Sequence, residues 1–271
     1  MKVHKGIAAL LTALLTAVTS IGSANAEPTN GTATPGQLKI GIEIAYPPFE
    51  YYEGSEIKGF DPELARALGK QMGAEVTFVD TKFQSLIIGL ASGRFDAVIS
   101  GIYIKPERLV QNKAIPYART GASLLAPTAS SFKPKNLEDL CGAKVAVQQG
   151  ATWTPVLVQF SNTYCKTHGK SEITLSEFPS APEALQALMS NNVQAQIEVA
   201  VAAHSLAAKS SGRVQITSTE LIDPQSLGIF VKKNNAALYD SLVKALGQVK
   251  QSGDYDKLIK KYNLQPAEKA S

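Results

Sequence analysis

The sequence has few of the residues that build metal and redox centres. Its 271 residues include two cysteines and three histidines. A zinc site needs about four Cys, His or acidic ligands close together, and here no histidine pair lies near either cysteine. The sequence therefore predicts neither a metal nor a cofactor.

The sequence also lacks an excess of charge of one sign. Lysine and arginine together number 27 and aspartate and glutamate 23, which gives a net charge of +4. The basic residues are dispersed and do not form the basic patch or stripe that is typical of nucleic-acid binding. We therefore expect no nucleic-acid partner.

Long hydrophobic runs are missing except for one near the start. This run extends from Ile7 to about Val18, follows two lysines and precedes the sequence Ser-Ala-Asn-Ala at 23–26. A membrane-spanning helix needs about 20 apolar residues, and this run is shorter. A charged start, an apolar middle and an A-x-A site are typical of a secretory signal peptide. We expect residues 1–26 to be a cleaved signal peptide and the mature protein to lie in the periplasm.

The two cysteines, Cys141 and Cys165, allow only one pairing within the chain. In an exported protein, a lone pair of cysteines favours a disulfide. It would close a loop of about 24 residues and stabilise the fold by roughly 3 kcal/mol in the chain-entropy model. We expect this disulfide.

What the sequence does contain is a regular alternation of strand and helix patterns. After a polar, turn-rich stretch at 27–37, expected to be a flexible leader, the order β-α-β-α-β occurs twice. Such alternation predicts mainly parallel sheets with helices on both faces. The fold class is thus α/β with two lobes and a ligand cleft between them. We expect lobe 1 to comprise residues 38–122 and 224–271, and lobe 2 to comprise residues 123–223.

Helix signals occur at several places in the chain. Asp61, Pro62 and Glu63 predict a helix start, with Asp61 as the N-cap candidate. Two amphipathic patterns, at 236–251 and 255–262, predict terminal helices that pack back on the first lobe.

Ligands in such sheets bind beyond the carboxyl ends of the strands, so the segments after each strand are candidates for the site. The first predicted strand is followed by Tyr46, in a turn with two prolines. The third is followed by Ser100 and Gly101, which offer a hydroxyl and a backbone N–H, and then by Arg108 at an expected helix entrance. An arginine can bind a carboxylate through two parallel hydrogen bonds.

In the second lobe, residues 149–152 (Gln-Gly-Ala-Thr) connect a predicted strand to a predicted helix. Free N–H groups and the helix dipole favour an anion at such a position. The sequence therefore predicts two clamps, one in each lobe, that meet on one carboxylate.

Several short motifs follow one another over nearly the whole chain after the signal peptide. They are Gly41-x5-Pro47-Pro48-Phe49-Glu50, Lys58-Gly59-Phe60-Asp61, Gly93-Arg94-Phe95-Asp96-Ala97, Pro106-Glu107-Arg108, Val145-x-Val147-Gln148-x-Gly150, Glu183-Ala184-Leu185, Gly228-Ile229-x-Val231 and Gly253-x-Tyr255-x-Lys257-Leu258. In order and spacing the chain resembles the bacterial extracellular solute-binding proteins, family 3, the polar-amino-acid-binding components of ABC importers. The resemblance implies a monomer with two crossings between its lobes, near 121–126 and 221–228, and hinge closure on a small zwitterionic ligand. It also implies an inner-membrane ABC permease as partner.

The resemblance assigns roles to individual residues. Arg108 matches the arginine that binds the ligand α-carboxylate, and Ser100 and Thr152 match residues that assist it. Other matched positions are an aromatic that stacks on the ligand, a pocket-lining residue, and an acid that meets the ligand's side chain or amine. These are Tyr46, Phe83 and Glu43 respectively.

The chain departs from the family pattern at two positions. The aspartate that neutralises the α-ammonium in amino-acid binders is replaced here by Val199. Glu198 is adjacent, but neighbouring strand residues point to opposite faces, so we expect it to need a register shift or bulge to substitute. Tyr103 stands where a small Ser or Thr commonly donates to the ligand.

These departures leave the ligand class open. Loss of a buried charge partner costs several kcal/mol for a primary ammonium, unless Glu43 takes over. Alternatively, Tyr46, Phe83 and Tyr103, together with Trp153, surround an alkylated or delocalised cation. The ligand would then be an opine or a compatible solute of the ectoine or betaine type. In a third interpretation, Tyr103 only fills space.

Enzymes and sensors are the competing classes. The chain also resembles periplasmic cyclohexadienyl dehydratases, but the position of their catalytic Glu holds Ala202 here. His168 and His204, the histidines after the signal peptide, are expected at the surface. A receptor sensor would need a spanning helix and a signalling domain. We therefore expect no catalysis and no sensor role.

Overall fold

The structure, a computed structural model, describes Met1 and residues 30–267. The expected signal peptide at 1–26, apart from Met1, and residues 27–29 of the expected leader lie outside the described residues. Within the described part, no helix combines the length and the apolar composition that a bilayer crossing requires.

The described residues alternate between strands and helices. The strands are β1 (Gln37–Ile42), β2 (Tyr51–Glu53), β3 (Glu56–Lys58), β4 (Glu75–Asp80), β5 (Ala97–Val98), β6 (Asn112–Pro127), β7 (Lys144–Gln148), β8 (Thr174–Phe178), β9 (Ala195–Val199), β10 (Val214–Ile216), β11 (Ile222–Lys232) and β12 (Gln265–Pro266). The α-helices are α1 (Phe60–Met72), α2 (Leu86–Ser92), α3 (Trp153–Phe160), α4 (Ala181–Met189), α5 (Ala200–Lys209), α6 (Ala236–Gln251) and α7 (Asp254–Lys261).

The main sheet contains two parallel groups of strands. Its order is β4-β1-β5-β11-β6-β9-β7-β8, in which β4, β1 and β5 are parallel and β9, β7 and β8 are parallel. Each group has its own helices, so the α/β fold with two mainly parallel lobes is confirmed.

Two long antiparallel strands join the groups. β6 pairs with β11 from Asn112 to Ala122 and with β9 from Ala122 to Leu125. The register between β6 and β11 shifts between Ile222 and Gln225. The two expected crossings lie in these strands. The exact residue boundaries of the lobes stay a prediction.

In the first lobe, α1 covers β1 and β4. Phe60, Leu64 and Leu68 are fully buried on its inner face. The helix ends at Gly73, whose φ of 65° is the left-handed conformation that glycine adopts without strain. The N-cap is Gly59, so the expectation that Asp61 caps this helix is wrong. The carboxylate of Asp61 is buried and binds elsewhere, as described below.

The terminal helices pack back on α1, as predicted from their amphipathic patterns. Lys261 Nζ lies 2.7 Å from Glu63 Oε1, and the Tyr262 hydroxyl donates to the same oxygen at 2.6 Å. The Tyr262 ring meets the Phe60 ring edge-on at 5.7 Å. The chain therefore returns to the first lobe after visiting the second.

In the second lobe, the helix α3 continues as a π-helical turn from Ser161 to Cys165. Cys165 is bonded to Cys141, with Cα atoms 5.6 Å apart. The predicted disulfide is confirmed, and it ties the far end of α3 to the loop before β7.

The described part of the expected leader is attached to the first lobe. Asn30 Nδ2 donates to Met72 O at 2.7 Å, and the N–H of Ala33 donates to Asp96 Oδ1 at 2.9 Å. Gly31 O accepts from Asn235 Nδ2 at 2.8 Å. Over residues 30–36 the chain is thus anchored by hydrogen bonds, which differs from the flexible leader expected at 27–37.

Candidate functional site

Strand ends from both lobes border one small cavity. β1 and β5 approach it from the first lobe, and β7 and β9 from the second. The lobes leave little free space between them in this arrangement. The lining residues come from both lobes: Tyr46, Phe83, Gly101, Tyr103, Arg108, Gln148, Ala151, Thr152, Trp153, Glu198 and Val199.

Tyr46 forms one wall and connects the lobes. It lies in the turn after β1, where its N–H donates to Glu50 O at 2.8 Å. Its ring stacks on Phe49 with centroids 5.4 Å apart. Its hydroxyl donates to Glu198 Oε1 at 2.6 Å. Because both partners are buried, this hydrogen bond is shielded from water.

Arg108 supplies a positive charge. It lies in a single 3-10 turn, Pro106–Leu109, and not at the helix entrance expected from the sequence. Its Nη1 donates to Tyr103 O at 2.8 Å, and its Nη2 donates to Gly150 O of the second lobe at 2.9 Å. Its Cζ lies 5.8 Å from the centroid of the Phe83 ring. Burial lowers the pKa of Arg108 to about 10, so the guanidinium stays charged at neutral pH.

Opposite Arg108, the second lobe presents the start of α3. Thr152 immediately precedes the helix and is 5% exposed. The first N–H groups of an α-helix have no partner within the helix, and the dipole favours an anion there. Gly150 leads into this start with a φ of 80°. The predicted juxtaposition of Arg108 with residues 149–152 is therefore present in the structure.

Glu198 is the carboxylate in the cavity wall. It is 4% exposed, and its Oε1 also accepts the N–H of Val199 at 2.8 Å. β9 pairs with β6 without a shift from Gln196 to Val199, so Glu198 reaches the cavity without the register shift or bulge that was expected for it to replace the aspartate. Because β9 ends here and the chain turns into α5, both of its last residues border the cavity. Burial raises the pKa of Glu198 to about 7.

Glu43 and Gln148 make another contact between the lobes. Glu43 Oε2 accepts from Gln148 Nε2 at 2.5 Å, and its Oε1 accepts from the N–H of Phe83 at 3.3 Å. Burial raises the pKa of Glu43 above its usual range, although the bond from Gln148 opposes this shift. Both carboxylate oxygens of Glu43 are therefore engaged by protein groups behind the cavity wall.

Ser100 also lies behind the wall and is fully buried. Its hydroxyl donates to Glu50 Oε1 at 2.6 Å and accepts from the N–H of Glu43 at 3.1 Å. Ser100 therefore connects the loops that carry Tyr46 and Gly101.

Gly101 lies between this network and the cavity. Its φ is 57°, and a Cβ atom here would lie 2.9 Å from Tyr46 Cε1. Its N–H donates to Asp61 Oδ2 at 2.6 Å. Burial raises the pKa of Asp61 to about 7 and that of neighbouring Glu50 well above its usual range, so this acid pair retains a proton near neutral pH.

The structure brings the predicted ligand residues together. Seven of the nine line the cavity, and Glu43 and Ser100 lie directly behind its wall. That these residues bind a ligand stays a prediction. The sequence motifs assigned no ligand role to Gln148, which lines the cavity and stands in the motif Val145-x-Val147-Gln148-x-Gly150.

Other chemistry finds little support in the described residues. Between residues 30 and 267, no three or more His, Cys, Asp and Glu side chains are placed to hold a metal ion. His168 and His204 are both exposed, and neither lines the cavity.

Two α/β lobes that meet at a small polar cleft are the architecture of a solute-binding protein. The chain belongs to the bacterial extracellular solute-binding proteins, family 3, whose sequence profile matches residues 38–265. This confirms the resemblance drawn from the motifs.

Individual relatives agree with this family. The chain is 32% identical over 237 residues to ABC transporter arginine-binding protein 1 of Escherichia coli (strain K12), covering 85% of this chain and 92% of that protein. It is also similar to the solved structure of an ancestral arginine-binding protein bound to arginine. The TM-score is 0.75 and the identity 32%, covering 84% of this chain and 98% of the other.

A third similarity concerns the enzymes of this fold. The ancestral amino acid-binding protein AncCDT-1, a precursor of cyclohexadienyl dehydratase, has a TM-score of 0.74 and 31% identity, covering 84% of this chain and 95% of that one.

Proposed function

We propose that the protein is the substrate-binding component of an ABC importer and that it captures a small, amino-acid-like zwitterion when its lobes close. The observation that carries this proposal is the placement of Arg108 and Glu198, from different lobes, on one small cavity. A zwitterion presents an anion to one and a cation to the other. It therefore bridges the two lobes.

The ligand carboxylate binds between Arg108 and the start of α3. Arg108 Nη2 now donates to Gly150 O, and a carboxylate offers stronger, charge-assisted bonds to the same guanidinium. The helix start adds N–H donors from the other lobe. The carboxylate thus links both lobes at one end of the ligand.

The ligand cation binds at Glu198, which takes the role of the aspartate that Val199 replaces. Burial of Glu198 without a cation favours its protonated form, since its pKa is raised to about 7. A cation beside it stabilises the charged carboxylate. The ligand cation therefore takes the place of the proton that Glu198 holds in the unliganded protein.

Lobe closure follows from contacts that span the cleft. Tyr46 to Glu198, Glu43 to Gln148 and Arg108 to Gly150 each join one lobe to the other. A ligand that contacts both lobes binds the closed arrangement better than the open one and shifts the population toward it. An importer can recognise this closed form as the ligand-bound protein.

Catalysis is not part of the proposal. The position of the dehydratases' catalytic Glu holds Ala202, a fully buried residue on α5. Among the residues that line the cavity, Arg108 and Glu198 act as charge partners of the ligand, and the Tyr46 hydroxyl that donates to Glu198 holds the lobes together.

We further propose that the protein works as a monomer outside the cytoplasm and delivers its ligand to a membrane permease. The family's description as extracellular and the naming of an ABC transporter in a relative support this location and partner. Light scattering of the purified mature chain tests the monomer, and a dimer mass contradicts it.

The proposal is tested by thermal shift and calorimetry of the purified mature protein against the proteinogenic amino acids and other small zwitterions. A ligand at about 100 times its Kd stabilises the folded state by about 2.7 kcal/mol. Arg108→Ala should abolish the ligand-induced rise in melting temperature, and Arg108→Lys should keep part of it. Arg94→Ala, at an exposed arginine outside the cavity, is the matched control. A full shift in Arg108→Ala, or no shift with any zwitterion, contradicts the proposal.

A further inference from the structure

Tyr103 forms a rigid wall of the cavity. It follows β5, forms an isolated bridge with Leu227 and is 3% exposed. Its carbonyl accepts from Arg108 Nη1 at 2.8 Å. Its ring meets the Trp153 ring edge-on, with centroids 5.9 Å apart and planes at 90°. The ring therefore packs against Trp153 of the second lobe, and its backbone is held by Leu227 and Arg108.

Aromatic rings make up much of the cavity lining, with Phe83 on the Arg108 side. Tyr46, Phe83, Tyr103 and Trp153 all line the cavity, and three of them are at most 3% exposed. Ring faces attract alkylated ammonium groups, which make good contact with them because they carry no hydration-demanding N–H shell. A wall of this composition suits a methylated cation.

The hydrogen-bonding capacity at Glu198 is already partly used. Its Oε1 accepts both the Tyr46 hydroxyl and the N–H of Val199. A primary ammonium donates three hydrogen bonds and needs an acceptor for each. Val199 offers a methyl surface where the family pattern has a carboxylate. An alkylated ammonium needs only a nearby negative charge and apolar contact, and both are present.

The Tyr103 hydroxyl adds an independent observation. It is buried and has no hydrogen-bond partner among the described residues. A buried, unpaired hydroxyl is costly and is usually paired with an acceptor or donor. In a zwitterion with an alkylated ammonium, the carboxylate is the group that can supply that partner in the cavity that Tyr103 lines. Where the family has a small residue, this chain has Tyr103, whose hydroxyl has no hydrogen-bond partner among the described residues.

We propose that Tyr103 is the specificity-determining residue of this site and that it selects compact zwitterions with an alkylated ammonium over those with a primary ammonium. This inference rests on the proposed function, because it assumes that the cavity binds a zwitterion through Arg108. It adds the chemical class of the cation and the side chain that selects it.

The experiment is calorimetry with a series in which only the cation changes: glycine, sarcosine, N,N-dimethylglycine and glycine betaine. L-arginine and L-alanine serve as primary-ammonium probes of different length. We expect affinity to rise along the methylation series, with glycine betaine binding at least about fivefold more tightly than glycine, as one good ring contact provides.

Three variants assign the preference to Tyr103. Tyr103→Ser restores the small residue, so it should lose the preference for methylated ligands and gain affinity for L-alanine or L-arginine. Tyr103→Phe retains the ring and should retain the preference, while weakening binding of every ligand that uses the hydroxyl. Tyr52→Ser, at a tyrosine that is 53% exposed, is the control for loss of a tyrosine elsewhere. Thermal melts establish that each variant is folded.

The outcomes separate this inference from the proposed function. If an unmethylated amino acid binds wild type as tightly as glycine betaine and Arg108→Ala abolishes its binding, the inference is overturned and the proposed function stands. An undiminished methylation preference in Tyr103→Ser also overturns it. If no zwitterion binds wild type, both fail.

Discussion

The two walls of the cavity are built in different ways. The first lobe contributes aromatic and basic side chains, such as Tyr46 and Arg108, whose turns are anchored on buried acids and rings. The second lobe contributes the start of a helix and the end of a strand, together with the side chains of Gln148, Trp153 and Glu198. Backbone groups bind any carboxylate, whereas side chains distinguish one ligand from another. Three of the four aromatic rings in the cavity lining belong to the first lobe, so ligand preference is expected to change most readily there.

The largest expected effect concerns the anchoring of the second wall. Replacing both Cys141 and Cys165 with serine should lower the free energy of unfolding by about 3 kcal/mol, because the unfolded chain regains the freedom of the closed loop. Denaturant unfolding of the two forms measures this difference. Ligand affinity should fall less than in Arg108→Ala, since the helix start retains its N–H groups. A stability loss below about 1 kcal/mol would contradict this expectation.

The next effect concerns the carboxylate of the second wall. Burial raises the pKa of Glu198 from its ordinary 4.5 to about 7, so between these pH values the folded protein holds a proton that the unfolded chain has released. The stability of the unliganded protein should therefore fall as pH rises through this window, by up to about 3 kcal/mol. Glu198→Gln should remove that part of the slope. Denaturant unfolding as a function of pH measures it.

The pH experiment needs the variant as its own control. Glu43, Glu50 and Asp61 also have raised pKa values, so only the difference between wild type and Glu198→Gln reports on Glu198. The Tyr46 and Tyr103 hydroxyls beside it have raised pKa values and stay neutral throughout. Affinity for a cationic ligand should rise with pH in wild type, because the ligand binds the charged carboxylate. Parallel pH profiles in both proteins would contradict the assignment.

A smaller effect tests whether the walls touch. Gly150 and Gly169 lie in the second lobe with φ values of 80° and 65°, so an alanine at either position should cost about 1 kcal/mol in stability. Only at Gly150 would the new Cβ lie near the first lobe, 2.8 Å from Gln84 Cα. Calorimetry should therefore show weaker ligand binding in Gly150→Ala and unchanged binding in Gly169→Ala. Equal affinities in the two variants would argue that this contact is absent in the liganded protein.

The smallest effect lies outside both walls. Lys209 Nζ on α5 lies 5.8 Å from the centroid of the Tyr51 ring on β2, in an exposed contact between the lobes. Lys209→Ala should change stability by about 0.5 kcal/mol or less, and ligand affinity by less than about twofold. Calorimetry and denaturant unfolding measure both. A tenfold change in affinity would place part of the closure energy outside the cavity.

Much of the architecture follows from local pattern. The strand–helix alternation predicted the α/β class, and helices such as α6 lie where the amphipathic pattern placed them. The end of α1 at Gly73 has a local cause, because glycine adopts the left-handed conformation without strain. The start of α1 was predicted wrongly, because the Asp61 carboxylate accepts a buried hydrogen bond from the N–H of Gly101 that sequence spacing does not reveal.

The candidate site was predicted less completely. The motifs led to Arg108 and Tyr46. Gln148 contacts Glu43 across 105 positions of sequence, so the motif that contains Gln148 did not reveal its partner. The strand-alternation rule predicted that Glu198 needs a register shift or bulge, because the rule describes the interior of a strand and not its last residues. At the end of β9 the chain turns into α5, and both faces reach the cavity.

The sequence by itself determined the family, the alternation of elements, the one possible disulfide and the positive end of the site, because each depends on residue type and short-range spacing. Only the tertiary structure decided which carboxylate borders the cavity and which side chains meet across it. Both depend on how the two parallel groups of strands are joined through β6 and β11. Glu198 and Tyr46, 152 positions apart in sequence, become hydrogen-bond partners only through that approach.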